Sequence, residues 1–362
     1  MRCALCRFLA LVLLAPAALS AQRPSTAADV KRILYPLADD SMKGRMTGSS
    51  GEAMASRFIA GEMQRIGLKP LGDSGYFQRV PIVVVPLATP RRGRTERVML
   101  VGSFAERDTF PVERRRTSVN VLGFLAGTDS TLKNEVVLVD AHFDHVGVGS
   151  SVNGDSIYNG ADDDASGVTA VLEIARQFAE GSTPRRTVLF VTTTGEEAGL
   201  LGTRWFIDHP PIPLSQFVAN MEIEMIGRPD PLAGGAGKAW LTGYERSSMG
   251  ERFAAAGLDI VSDKRPDQRF FERSDNIAFA RRGIVAHTLS TYNLHTDYHQ
   301  PGDEAAKVDL EHMATVINTG ARAVRLLADG PKLEWKPGGQ PGAPAPRPTP
   351  PPAPRLLSTP TH

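Results

Sequence analysis

Two strongly apolar segments with a helical pattern between them restrict the fold of this chain more than any other feature. Residues 135–139 and 187–191 are rich in valine and leucine, as strands buried on both faces of a sheet are. Between them, residues 166–178 place apolar side chains on one broad helical face. This order predicts a strand–helix–strand unit, and hence a single α/β domain with a mostly parallel central sheet flanked by helices on both faces.

The same patterns recur along the chain. Apolar periodicity predicts further helices at 29–35, 51–66, 251–256 and 310–327. Apolar or β-branched runs predict further strands at 97–101, 119–124, 217–223, 239–242 and 283–289. The formal net charge is +1, so the composition gives no electrostatic reason to expect nucleic acid or an anionic membrane as a partner.

The first residues have the pattern of a signal peptide. Arg2 and Arg7 precede an apolar run at 8–14, and the small residues Ser20 and Ala21 offer a cleavage site. The apolar run is short for a bilayer-spanning segment. We therefore expect residues 1–21 to be a signal peptide and the mature protein to be secreted or periplasmic, with an uncleaved anchor as the alternative.

Composition divides the remaining chain into three parts. Residues 22–27 are predicted to be a short tether, and residues 28–330 to form the main domain. Proline, glycine, serine and threonine dominate residues 336–362. A segment of this composition cannot bury a core, so we expect a disordered or polyproline-like tail.

Acids and histidines cluster at or near the ends of the predicted strands, where sites form in open α/β sheets. The segments that contain them are 137–145, 159–167, 188–197, 220–227 and 294–303. In the first segment, His142 and Asp144 point the same way in an extended chain, so Asp144 can hold the second ring nitrogen of a metal-binding His142. Taken alone, this segment fits a polar surface turn equally well.

The second and third segments hold consecutive acids. Asp162, Asp163 and Asp164 lead into a predicted helix, and three adjacent carboxylates repel each other unless a cation or strong donors compensate. Glu196 and Glu197 follow a buried type of strand. This position favours one carboxylate on a metal ion and the other as a general base acting on water.

The last two segments add further candidate ligands. Glu222 and Glu224 lie on one face of a predicted strand, where a carboxylate needs a partner. His295, His299 and Asp303 follow close together. Histidine and carboxylate ligands without cysteine suit catalytic zinc, with manganese or cobalt as substitutes. More candidates than one metal needs predict two metals roughly 3.5–4 Å apart.

Five of these motifs occur in an order that is typical of one enzyme family. They are His142-Phe-Asp144, Gly160-Ala-Asp-Asp-Asp-Ala-Ser-Gly167, Gly195-Glu-Glu197, Glu224-Met-Ile-Gly227 and His299-Gln-Pro-Gly-Asp303. Together they resemble the two-zinc aminopeptidase family, which includes bacterial leucyl aminopeptidases, glutamate carboxypeptidase and, distantly, glutaminyl cyclase. Some members insert a protease-associated domain, for which residues 81–118 are too short, so none is expected.

The resemblance implies a ligand set for two zinc ions. His142 and Glu224 would hold one ion, and Glu197 and His299 would hold the other. Asp163, the middle acid of its run, would bridge the two. Many members carry aspartate where this chain has Glu224, which leaves zinc binding intact but limits the transfer of substrate preference.

The resemblance also implies roles around the ligands. Glu196 would be the general base, and the Asp144 carboxylate would hold the ring nitrogen of His142 that does not bind metal. Asp303 would support His299 in the same way. Arg273 and Asp275 are expected at the rim of the pocket, in contact with substrate.

The resulting functional expectation is a secreted zinc metallo-exopeptidase. An aminopeptidase that acts on peptides with a free N-terminus is the first choice, because an acidic floor attracts the substrate's ammonium group. A glutaminyl cyclase-like acyltransferase is one alternative, although the Glu196–Glu197 pair favours hydrolysis. A carboxypeptidase or dipeptidase on the same scaffold is the other.

Overall fold

The computed structural model describes residues 23–91 and 94–342. The predicted signal peptide and residues 343–362 of the predicted tail lie outside the described residues. Across the described ranges, no helix is both long enough and apolar enough to cross a lipid bilayer.

The helices begin and end where the local sequence provides caps. The Thr26 hydroxyl accepts a hydrogen bond from the Asp29 N–H before the first helix. The second helix begins after Ser49 and ends at Gly67, whose φ of +87° suits glycine. In chain order the helices of the described residues are α1 (Ala27–Leu37), α2 (Ser50–Ile66), α3 (Phe104–Arg107), α4 (Gly167–Glu180), α5 (Leu201–Asp208), α6 (Ser248–Ala255), α7 (Asn276–Ala280) and α8 (Leu310–Asp329).

The strands form one large sheet and one small hairpin. In chain order they are β1 (Lys69–Pro70), β2 (Phe77–Arg91), β3 (Arg94–Leu100), β4 (Arg115–Leu125), β5 (Val136–His142), β6 (Gly147–Val152), β7 (Asp155–Tyr158), β8 (Thr187–Thr193), β9 (Phe217–Ile223), β10 (Ala239–Leu241), β11 (Ile260–Ser262) and β12 (Ala286–Ser290). The large sheet has the order β11-β10-β12-β9-β5-β8-β4-β2-β3, with β1 beside β4. Strands β6 and β7 pair with each other.

The centre of the large sheet is parallel. Strand β5 lies between β8 and β9 and runs parallel to both, and β12 runs parallel to β9. Outside this centre, β4 pairs antiparallel with β8, and β2 pairs antiparallel with β3 and β4. The predicted α/β domain is confirmed, and its sheet is mixed, with the predicted parallel strands at the middle. The carboxyl ends of β5, β8 and β9 therefore meet at one edge.

Helices cover both faces of this sheet, as the sequence predicts. Side chains of β5 alternate between the two layers: Val137 and Val139 pack with the residues of α1, α2, α4 and α8. Val136 and Leu138 pack with those of α5 and α7 on the other face. This alternation explains the continuous apolar run of β5, because a strand buried on both faces needs apolar side chains at every position.

The described parts of the predicted tether and of the predicted tail form hydrogen bonds with the main domain. In the predicted tether, the Ser25 N–H donates to Asn318 Oδ1 at 2.8 Å. At the start of the predicted tail, the Lys336 N–H donates to the Arg246 carbonyl at 2.9 Å, and Arg246 Nη1 donates to the Gly339 carbonyl at 3.1 Å. The first residues of the predicted tail are thus packed against the domain. Residues 81–91 and 94–118 contain parts of β2 and β4 with β3 and α3 between them.

Candidate metal centre

The candidate site lies where the three parallel strands β5, β8 and β9 end. Strand β5 ends in His142, strand β8 leads to Glu196 and Glu197, and strand β9 leads to Glu224. Parallel strands carry their carboxyl ends to the same edge of a sheet, so residues distant in sequence meet there. His299 reaches the same place from the loop after β12.

One group of ligand atoms surrounds His142. Its Nε2 lies 3.2 Å from Asp163 Oδ1 and 3.8 Å from Glu224 Oε1. These three side chains offer ligand atoms that all lie within 4.8 Å of one another. They are the ligands expected for the first metal.

A second group surrounds Glu197. Its Oε1 lies 2.9 Å from His299 Nε2, and Asp163 Oδ2 lies 3.0 Å from the same nitrogen. His145 joins this group, with its Nδ1 2.9 Å from Glu197 Oε1 and 3.7 Å from Asp163 Oδ2. The structure thus brings together all five predicted ligands and adds His145, to which the sequence reasoning gave no role.

Asp163 belongs to both groups. Its Oδ1 is directed to His142 and its Oδ2 to His299 and His145. Although burial raises the pKa of Asp163, these histidines hold it well below its usual value. A carboxylate directed at two ligand groups has the geometry of a bridging ligand.

The neighbours of Asp163 orient it. Asp162 accepts hydrogen bonds from the Gly227 N–H at 2.7 Å and contacts His295 Nε2 at 2.9 Å. Asp164 accepts the N–H groups of Gly167 and Met225. The run of three acids is therefore divided: the outer two tie the turn Ala161–Ser166 to the sheet, and the middle one faces the site.

Asp303 supports this turn. Its carboxylate accepts the backbone N–H of Asp162 at 3.1 Å and that of Asp163 at 3.0 Å. Arg228 Nη2 donates to Oδ1 of the same carboxylate at 3.2 Å. Asp303 thus holds the turn that carries the shared Asp163, and its predicted support of His299 stays a prediction.

Several buried atoms of the two groups lie close to one another but not in hydrogen-bond geometry, so they have no hydrogen-bond partner. They are His142 Nε2, His145 Nδ1 and Nε2, Asp163 Oδ2 and Glu197 Oε1. Buried polar atoms without partners are rare in folded proteins and are costly. Imidazole and carboxylate donors directed at common points are what divalent metal ions such as zinc require, so the residues fit the metal pair that the sequence predicts.

Asp144 contacts His142 through its backbone. The Asp144 carbonyl oxygen lies 3.1 Å from His142 Nδ1, whereas its carboxylate lies 3.8 Å from that nitrogen. The carboxylate instead accepts the Glu196 N–H at 3.1 Å and the Thr47 hydroxyl at 2.8 Å. Asp144 therefore orients His142 by its carbonyl group and the Glu196 backbone by its side chain.

Glu196 belongs to neither ligand group and faces the pocket beside them. The side chains that line this pocket include those of Asp163, Glu196 and Glu224. Burial raises the pKa of Glu196 well above its usual value, and Glu197 and Glu224 raise it further. A carboxylate that lies next to a metal site without being a ligand is placed to exchange protons with groups bound there.

The two predicted substrate-contacting residues have different positions. Arg273 lines the pocket, with its guanidinium 5.2 Å from the centre of the Phe270 ring. Asp275 is only 1% exposed, accepts the Thr193 hydroxyl at 2.5 Å and is not among the side chains that line the pocket. Burial raises its pKa to about 6.

Arg45 is a further residue of the site that the sequence reasoning missed. Its guanidinium is buried and donates to the carbonyl groups of Phe143 at 2.8 Å, Asn159 at 2.6 Å and Gly160 at 2.9 Å. These carbonyls flank the segments that carry the ligands. These three partners lie about a hundred residues away in the chain, so no local pattern assigns Arg45 this role.

Known proteins with similar structures share this fold. The aminopeptidase from Aneurinibacillus sp. strain AM-1 has a TM-score of 0.62 at 16% identity, covering 88% of this chain and 98% of that one. The zinc aminopeptidase BSAP from Bacillus subtilis has a TM-score of 0.61 at 15% identity, covering 84% and 96%. At this level of sequence identity, the structural similarity shows that the chain has the same fold as these proteins.

Relatives in sequence are longer proteins. The probable leucine aminopeptidase 2 of Aspergillus oryzae is 27% identical over 235 residues, which are 58% of this chain and 44% of that protein. The vacuolar membrane protease of Candida dubliniensis is 36% identical over 105 residues, 29% of this chain and 10% of that one. The chain thus spans less than half the length of these curated relatives. The model of peptidase family M28 matches residues 120–324, more than half of the chain, so the chain belongs to peptidase family M28.

Proposed function

We propose that this member of the family is an exported two-zinc aminopeptidase. The observation that carries the proposal is the orientation of Asp163, whose Oδ1 lies 3.2 Å from His142 Nε2 and whose Oδ2 lies 3.0 Å from His299 Nε2. A carboxylate between two ligand groups is how a protein holds two metal ions roughly 3.5–4 Å apart. The names of the similar solved structures, an aminopeptidase and a zinc aminopeptidase, support the choice of metal and reaction.

The residues of the site divide the work of hydrolysis. Zinc ions held by the two groups would supply Lewis acidity toward a peptide carbonyl and would make a water molecule more acidic. Glu196 takes a proton from the attacking water and delivers it to the leaving amine. Asp144 keeps Glu196 in position through the 3.1 Å hydrogen bond from the Glu196 N–H.

The pocket suits a peptide with a free N-terminus. The carboxylates of Asp163, Glu196 and Glu224 line the pocket, and their negative charge attracts an ammonium group. The aromatic side chains that line the walls are those of Trp240, Phe270, Tyr292 and Tyr298. Such walls accept an apolar side chain of the N-terminal residue.

A second candidate function follows from Arg273. It is the basic side chain among those that line the pocket, and none of the ion pairs in the described ranges involves it. A guanidinium in this position suits a substrate carboxylate. A dipeptidase or carboxypeptidase that binds the C-terminal carboxylate of its substrate is therefore the alternative.

The test compares substrates that differ in one end group. Purified mature protein is assayed with aminoacyl anilides, the same anilides with a blocked amine, free dipeptides and their C-terminal amides. We expect cleavage of the anilides with a free amine, and we expect chelation and the substitution Glu196→Gln to abolish it. Cleavage restricted to blocked substrates would refute the aminopeptidase, and cleavage restricted to peptides with a free carboxylate would favour the alternative.

Two further measurements complete the test. Release of ammonia from peptides with N-terminal glutamine, without peptide cleavage, would indicate a cyclase instead. Export is tested by sequencing the N-terminus of the protein recovered outside the cytoplasm, which we expect to begin at Gln22. An intact N-terminus that begins at Met1 would contradict the predicted cleavage.

A further inference from the structure

Glu52 is a buried carboxyl group behind the metal centre, outside both ligand groups. It lies in the first turn of α2 and is 2% exposed. Its Oε2 accepts the Gly48 N–H at 2.6 Å, and its Oε1 contacts the hydroxyl groups of Ser118 and Thr194. Among the described residues, no basic side chain forms an ion pair with it. Its neighbours are thus hydrogen-bonding groups rather than counter-charges.

Glu52, Ser118 and Thr194 form a closed ring of three oxygens. The two hydroxyl oxygens lie 2.7 Å apart, and each also contacts Glu52 Oε1. Three such contacts need three hydrogens, and the two hydroxyl groups supply two. A proton on Glu52 supplies the third. Burial raises the pKa of Glu52 to about 8, which agrees with a neutral carboxylic acid in this ring.

The ring holds Thr194 at the end of β8. The Thr194 N–H donates to Asn120 Oδ1 at 3.1 Å, and the Thr194 carbonyl accepts the Gly202 N–H at 2.7 Å. With its hydroxyl in the ring, all three polar groups of Thr194 have partners. The next residues are Gly195, Glu196 and Glu197, so the hydrogen bonds of Thr194 hold the backbone directly before the two glutamates.

The same N-terminal segment reaches Glu196 by a second route. The Thr47 hydroxyl donates to Asp144 Oδ2 at 2.8 Å, and Asp144 Oδ1 accepts the Glu196 N–H at 3.1 Å. Residues 47–52 therefore hold the segment 194–197 at two points. Glu52 contacts Thr194, and Thr47 contacts Asp144, which binds the Glu196 N–H. This segment precedes the residues 120–324 that match the family model.

We infer that Glu52 is a positioning residue, whose hydrogen-bonded ring with Ser118 and Thr194 fixes the segment that presents Glu196 and Glu197 to the site. The inference rests on the proposed function, because that function makes Glu196 the base and Glu197 a metal ligand. Glu52 itself touches neither substrate nor metal. It acts by limiting the positions that Glu196 can occupy, and misplacement of a catalytic group by about 1 Å costs on the order of 100-fold in rate.

The experiment uses pairs of variants that differ in hydrogen bonding and little in shape. Thr194→Val removes the hydroxyl group, and Thr194→Ser retains it. Glu52→Met removes both oxygens, and Glu52→Gln retains an acceptor and a donor. Glu173→Met is the control for general destabilisation, because Glu173 is as buried (1% exposed) and its replacement breaks an ion pair with Arg176 and a hydrogen bond with Ser25, neither of which belongs to a ligand group.

The kinetic readout separates positioning from folding. We expect Thr194→Val and Glu52→Met to lower kcat by about 10- to 100-fold, with KM within about twofold of the wild type and the zinc content unchanged. Thr194→Ser and Glu52→Gln should recover most of kcat, and Glu173→Met should retain it. Wild-type kcat in both Thr194→Val and Glu52→Met, or a loss equal to that of Glu173→Met, would overturn the inference.

Hydrogen exchange tests the ring independently of activity. Backbone amides of residues 194–197 should exchange faster in Thr194→Val and Glu52→Met than in the wild type and Glu173→Met. Equal exchange would overturn the inference even if the variants are inactive. A wild-type protein without peptidase activity would refute the proposed function instead, and the exchange rates would still decide whether the ring fixes this segment.

Discussion

Acidification should destabilise this protein through His287. This histidine is fully buried in β12, with its Nδ1 2.7 Å from the Thr242 carbonyl oxygen and its Nε2 2.7 Å from the Ser247 hydroxyl. The Thr242 carbonyl can only accept, so Nδ1 carries a hydrogen, and in the neutral ring Nε2 accepts from the Ser247 hydroxyl. Burial lowers the pKa of His287 from 6.5 to about 4.

The sign and size of the effect follow from this pKa. Between pH 4 and 6.5 the unfolded chain binds a proton that the folded chain does not, so the free energy of unfolding falls as the pH falls. The contribution is complete above pH 6.5 and is lost by pH 4. The two pKa values correspond to about 3 kcal/mol in all, of which about 2 kcal/mol is lost between pH 7 and pH 5.

Urea unfolding at pH 7 and pH 5 measures the loss, and His287→Gln is the control. Glutamine is neutral at both pH values, so the free energy of unfolding of the wild type should fall by about 2 kcal/mol more than that of the variant. Any loss of metal at low pH affects both proteins and cancels in this difference. An equal fall in the two proteins would show that His287 is not buried as a neutral ring, and would refute the reasoning.

Two further substitutions test the metal site and the packing around it. His145→Ala should weaken zinc binding at the Glu197 group by at least about 10-fold in a zinc titration. His209→Ala, which removes a histidine stacked on Trp205, should leave zinc binding unchanged, and an unaltered affinity in His145→Ala would exclude His145 as a ligand. Gly167→Ala should lower the free energy of unfolding by about 1–3 kcal/mol, because its methyl group would overlap the Ile223 carbonyl oxygen; a stability equal to that of the wild type would show that this contact is not tight.

Elements whose signal is local could be predicted from the sequence. Helix α2 has periodic apolar residues, a serine cap at Ser49 and a terminal glycine at Gly67, and it was predicted to within one residue. Strand β9 was predicted with its observed bounds because apolar residues recur at every second position from Phe217 to Ile223, although Asn220 and Glu222 lie on its other face. Strand β2 was not predicted, because Pro81 and Pro86 interrupt its pattern and its place is set by pairing with β3 and β4.

The candidate site shows the same limit. The predicted ligands lie within motifs of a few residues, and the sheet brings four of these motifs together because they follow the neighbouring parallel strands β5, β8, β9 and β12. His145 lies in the first of these motifs, three residues after His142, but the sequence reasoning gave it no role. Arg45 and Glu52 act through contacts to residues about 70 to 140 positions away, which no local pattern reveals.

The zinc content of the purified protein tests the central claim most directly. Elemental analysis should find about two zinc ions per chain in the wild type, as expected for a carboxylate-bridged pair. Asp163→Ala should lose both ions, because Asp163 contributes an oxygen to each ligand group, whereas Glu173→Met should keep both. A wild-type protein with one zinc ion, or an Asp163→Ala variant that retains two, would contradict the account.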